Sequence, residues 1–111
     1  MAHTIPESDW KLFRKLHSVA LERFCQRVLS EVSRLAADES KTSHERYLAV
    51  FKLIKQRDSE VAAAFNDVRR STALRQLVAI QLHELLSDKE LAGFSPETRT
   101  ALQALLEIWE N

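Results

Sequence analysis

One glycine and two prolines in 111 residues leave this chain few places to turn sharply. Glycine supplies backbone conformations with positive φ and proline interrupts helices, so a chain nearly free of both is built to run long helices between a few short connections. The apolar spacing agrees. Trp10, Phe13, His17, Leu21, Phe24, Val28, Val32 and Leu35 recur at steps of three and four, which is one face of a helix. The expectation is an all-α, single-domain bundle of four to five helices, up-and-down, with a long first helix and a long third helix.

Helix boundaries follow from capping signals. Thr4-Ile5-Pro6-Glu7 has the spacing of a capping box, but Pro6 disfavours a helical Ile5, so the first helix is placed at 6–37. Thr42-Ser43-His44-Glu45 repeats the box and starts a second helix, 43–57, with Tyr47, Phe51 and Ile54 on its apolar face. Asp58 or Ser59 then caps a third helix, 58–86. Its apolar stripe of Val61, Phe65 and Val68 resumes out of phase at Leu74, Leu77 and Val78, so the helix is either kinked or broken around Arg69 to Thr72 or buried on two sides in turn, and with no Gly or Pro between them continuity is the preferred reading. Ser87-Asp88-Lys89-Glu90 is a further box opening a short helix, 88–92, closed by Gly93 as a left-handed cap. Ser95-Pro96-Glu97 opens the last helix, 96–110, with Leu102, Leu105, Leu106 and Trp109 inward.

Charge narrows the partners. The 16 basic and 16 acidic residues cancel, so no whole-molecule field draws the chain to nucleic acid or anionic lipid. The charges are unevenly placed: residues 41–75 carry eight basic against four acidic groups, and residues 76–111 carry two against six. Segments so charged are expected to lie side by side in the bundle or across a dimer. No apolar run approaches the ~20 residues of a membrane span. The polar stretch Met1 to Trp10 does not resemble a secretory leader, and a lone Cys25 cannot form an internal disulfide, so the expected location is cytoplasmic, with Cys25 as a buried structural thiol.

Most catalytic classes lack their residues. One glycine cannot build a phosphate-cradling loop or a dinucleotide fingerprint. The residues three before His17, His44 and His83 are Arg14, Lys41 and Ile80, which excludes the Glu-x-x-His pairs of metal-binding bundles, so neither metal nor cofactor is expected. Cys25 lies eight residues after His17, about 12 Å along a helix axis, too far for a thiol to be activated by that imidazole.

Three groups of residues remain. The polar run from Asn66 to Thr72 interrupts a predicted helix, and Asn66, Asp67, Arg69, Arg70 and Arg75 are the binding candidates: an Asp67–Arg70 pair, with arginines satisfying helix ends or carboxylates such as Glu31 and Asp38, or a fork for an acidic group. Leu12, Leu16 and Val19 widen the apolar arc of the first helix and are the interface candidates, unless that helix is packed on both sides. His17 interrupts the aromatic stripe and is the buried polar candidate, a core histidine bonded across the bundle.

The functional expectation is a non-enzymatic cytoplasmic module for protein–protein interaction or self-association, as a homodimer or with another protein. The alternative is a nucleic-acid or ribosome-associated binder using Lys52, Lys55, Arg57, Arg69, Arg70 and Arg75, with Tyr47 and Phe51 assigned to the core. A bundle enclosing a small ligand or an enzymatic site is the third class.

Overall fold

The computed structural model describes residues 4–110. Five helices account for its order: α1 (Glu7–Ala36), α2 (Ser43–Phe65), α3 (Ala73–Leu82), α4 (Asp88–Leu91) and α5 (Pro96–Glu110), with a 3₁₀ turn at Arg70–Thr72 leading into α3. The all-α bundle stands. None of the helices among the described residues is long and apolar enough to cross a membrane.

The helix lengths are redistributed relative to expectation. The predicted boundary at Arg57–Asp58 does not exist: α2 runs unbroken from Ser43 to Phe65, and Ser59, instead of capping, returns its hydroxyl to the Gln56 carbonyl (2.9 Å). Asp and Ser are tolerated within a helix when solvent or a backbone oxygen takes their side chains. The predicted continuity around Arg69–Thr72 also fails. The chain leaves the helix at Asn66, Asp67 takes a left-handed φ of 60°, and α3 restarts at Ala73. The phase jump between Phe65 and Leu74 marked this break, since out-of-phase stripes can each face one core only if the helix between them ends. The long partner of α1 is therefore the second helix, and the third is short.

The packing of α2 antiparallel to α1 brings Phe24 and Phe65 together (ring centroids 5.9 Å apart) at one end, while at the other Arg46 Nη1 donates to the Ala36 carbonyl (2.8 Å). Two expected boxes close this hairpin and the α4 turn: Thr42 with Glu45, and Ser87 with Glu90. The turn back to α2 is made by Asp38, whose Oδ1 accepts from the Ser40 N–H and hydroxyl, and these bonds hold its carboxyl below the usual range. No such box starts α1, where Pro6 occupies the cap position without a side-chain bond.

The core gathers α3, α4 and α5 around the first half of α1: Phe13, Leu16, Ala20 and Phe24 meet Phe65, Leu77, Ile80, Leu85, Phe94 and Leu102, whereas Trp109, expected inward on α5, is exposed. Gly93 belongs here for a different reason than predicted. Its φ is not positive; instead a Cβ at this position would stand 2.9 Å from Leu12 Cδ2, so the residue permits a close approach of the α4 turn to α1.

Polar groups on α1 fasten this wrapping. The buried Asp9 carboxylate accepts the Ser95 N–H (2.9 Å), the Ser95 hydroxyl (2.6 Å) and the Thr98 hydroxyl (2.6 Å), tying the first turn of α1 to the first turn of α5. Burial pushes the Asp9 carboxyl up, and the bonds from Ser95 and Thr98 more than offset it, so it ionises below its ordinary value. A depressed carboxylate pKa stabilises the fold above the unfolded value and ceases to do so as pH falls through the folded one. Asp9→Asn should lower stability at neutral pH by about 1–3 kcal/mol. In thermal melts against pH, the wild type should lose midpoint below about pH 4 more steeply than the variant, and parallel curves would remove Asp9 from this role.

Candidate interaction surface

Among the described residues, buried side chains on α1 end at Phe24, and those on α2 begin only at Ala64. The remaining halves of both helices form a two-helix arm, and the molecule is accordingly long, 52 × 27 × 27 Å. Two helices can bury only the strip between them, so a second apolar face on either one stays wet.

That face exists. The apolar stripe of α2 is covered at its inner end, where Phe65 lies in the core, but continues outward as Tyr47, Phe51 and Ile54, which are 66%, 58% and 48% exposed; Leu48 (48%) flanks them and Leu29 of α1 (65%) stands across the groove. The prediction that Tyr47 and Phe51 are core residues is thus corrected: they lie on the right stripe of their helix, but neither α3 nor α5 extends far enough to cover them. Two depressions shape the face and share Ile54. One, of about 440 Å³, is lined by Ala36, Ser43, Arg46, Tyr47, Val50, Phe51 and Ile54. The other, of about 300 Å³, is lined by Phe24, Cys25, Val28, Leu29, Val32, Ile54, Arg57, Asp58 and Val61. Cys25, expected to be buried, is exposed on its rim.

The polar residues of the arm largely satisfy one another. Arg57 bridges Glu60 (2.8 Å) and Glu31 (3.3 Å), and the carboxylates raise its already high pKa. Arg46 is held by the Ala36 carbonyl and the Ser43 hydroxyl. The face is otherwise hydrocarbon and aromatic rings, with the exposed Asp58 at the edge of the second depression.

The residues singled out in the sequence lie elsewhere. Leu16 is buried and Leu12 packs against the core beneath Gly93, so the excess apolar arc is the mark of a helix enclosed on both sides; Val19 beside them is half-buried. Leu12, Leu16 and Val19 therefore do not form a free interface. His17, expected to be buried, is half-buried; its Nε2 donates across the bundle to the Phe65 carbonyl (3.0 Å), capping the end of α2, and the ring meets Phe65 edge-on.

The polar run is a connector. Gln76 donates to the Asn66 carbonyl, the Thr72 hydroxyl donates to the Asp67 carbonyl (3.0 Å), and Arg70 Nε donates to the Ile5 carbonyl (2.8 Å). Asp67 pairs with Arg69, not with Arg70 as expected, and Glu31 is taken by Arg57. Arg75 alone among these points away, exposed on α3. The five candidates do not converge on one site. Of the basic residues of the nucleic-acid alternative, Arg57, Arg69 and Arg70 are engaged within the chain, leaving exposed Lys52, Lys55 and Arg75 dispersed over two helices.

The sequence reading missed two further arginines. On α1, Arg27 donates to the carbonyls of His83 and Glu84 (the latter at 2.9 Å), and Arg23 to that of Leu85 (2.8 Å). Arg23 also forms a bidentate pair with Glu90 (2.7 and 3.0 Å), which pulls the Glu90 carboxyl down to about 2. These guanidiniums cap the end of α3, where Glu84 turns with a φ of 53°. The Arg-x-x-x-Arg spacing was visible, but its targets were not, because they are backbone carbonyls about sixty residues away.

No family model, curated protein or solved structure matches the chain. Among the described residues, no three His, Cys, Asp or Glu side chains gather as metal ligands.

The geometry separates structural from free arginines. Arg70→Ala should cost on the order of 1 kcal/mol through loss of the Ile5 carbonyl bond. Arg75→Ala should stay within about 0.5 kcal/mol of wild type. Urea unfolding of the two variants checks the difference, and equal stability would detach Arg70 from the connector.

Proposed function

We propose that this protein is a non-enzymatic protein–protein interaction module whose docking surface is the apolar face of the α1–α2 arm. The observation that carries this reading is the cluster of Leu29, Tyr47, Leu48, Phe51 and Ile54 on the outer stretches of two helices, beyond Phe24 on α1 and before Ala64 on α2, where neither helix has a buried residue. From their exposure, these five side chains offer on the order of 600 Å² of apolar surface, at the top of what a monomer normally leaves in water. Two aromatic rings at its centre are the residue types that anchor interfaces. A single cysteine, with no partner in the chain, suits a reducing compartment such as the cytoplasm.

The test is affinity capture from a cytoplasmic extract with wild type and with the Tyr47→Ser, Phe51→Ser double variant, with and without nuclease and at low and high salt. Both side chains are exposed, so the variant should keep its helicity. A protein complex that resists nuclease and salt but is lost in the variant is expected. Recovery that is equal for both proteins, or abolished by nuclease and salt, would overturn the reading, the latter in favour of a nucleic-acid role.

A further inference from the structure

We infer that the occupant of this face is a second copy of the chain, the two arms packing antiparallel about a two-fold axis near Ile54 into a four-helix bundle. The inference rests on the docking surface proposed above and names its partner.

Width argues against a single helix as the occupant. At 100° per residue, the exposed arc of α2 from Ile54 through Tyr47 and Phe51 to Leu48 spans about 120°, and Leu29 extends the face onto α1. A lone helix seated in the groove between α1 and α2 would leave Leu48 in water. A second two-helix layer covers the whole slab, which is how helix pairs ordinarily complete a bundle.

The relief of the face is also self-complementary. Ile54 is shared by the two depressions, with the exposed rings of Tyr47 and Phe51 towards the hairpin turn and the 300 Å³ hollow beside Leu29 and Val61 towards the core. Reversing the arm about Ile54 carries positions 47 and 51 to the level of positions 61 and 57. The rings of one copy then stand over the hollow of the other, as knobs over holes, and the same contact is made twice.

Area and charge agree with this occupant. About 600 Å² of apolar surface from each copy, widened by the half-buried Val28, Val32 and Val50, approaches the about 800 Å² per partner of a standard interface. The charges of Glu31, Arg57 and Glu60 are spent within the arm, which leaves Asp58 as the exposed charge of the hollow, and the chain has no net charge to repel its copy.

Cys25, the only thiol, lines the receiving hollow and serves as a native reporter. Sedimentation velocity across a concentration series should show a shift from one-chain to two-chain mass. Over the same series the rate of Cys25 alkylation should fall several-fold. Phe51→Glu should hold the protein at one-chain mass with unchanged helicity and restore fast alkylation; Leu29→Glu on the other helix should do the same. One-chain mass throughout with a constant alkylation rate would overturn the inference, as would a two-chain mass that both variants leave intact. Should Phe51→Glu fail to fold, the concentration dependence of Cys25 in the unaltered chain still decides. Capture of a different protein that depends on Tyr47 and Phe51, from a chain of one-chain mass, would overturn the second copy while leaving the docking surface standing.

Discussion

α2, α3 and α5 each bring to α1 an end with backbone groups that no turn of that helix can satisfy, and α1 supplies their partners. Asp9 takes the start of α5, His17 the last carbonyl of α2, and Arg23 and Arg27 the carbonyls that follow α3. An unpaired buried backbone group costs as much as a lost hydrogen bond, so these contacts decide where each element can stop. They also select charge by helix polarity. The carboxylate stands at helix starts and the guanidiniums at a helix end, where the backbone dipoles favour each. α1 is in this sense a spine whose polar side chains set the register of everything packed on it.

The spine is longer than what it carries. The wrapped elements occupy α1 only as far as the Arg27 contacts, and beyond that α1 has α2 alone beside it. The pairing of Arg57 with Glu31 and Glu60 keeps the two helices aligned there, but it buries nothing on the outer face of α2. The same stripe therefore has two fates: at Phe65 it is core, and at Phe51 it is surface. An apolar face of this extent on a helical hairpin would give the proposed partner a preformed platform, with little ordering to be done on binding.

Much of this was legible from local signals. The capping boxes at Thr42 and Ser87 act within four residues and formed as read. The phase jump after Phe65 was real, but scarcity of Gly and Pro argued for continuity, whereas Asp67 accepts the left-handed conformation that glycine would otherwise supply. His17 was identified as a core histidine because an imidazole within an aromatic stripe needs a partner, although Phe65 as that partner depended on where α2 stops. Leu12 and Leu16 looked like spare surface and proved to be enclosed, while Tyr47 and Phe51 looked like core and proved exposed. Periodicity says which residues share a face; it does not say whether anything is placed against that face.

The sequence by itself determined the helical class, the apolar stripes and the caps at Thr42 and Ser87, because those depend on interactions within a turn or two of backbone. Tertiary structure decided which stripes are covered, which arginines are held and where an apolar face is left exposed. Those outcomes depend on how far each helix reaches along its neighbour and on contacts between residues as distant as Asp9 and Thr98. Burial is a property of the assembled layers, and α3 to α5 end before they reach the outer half of the α1–α2 arm.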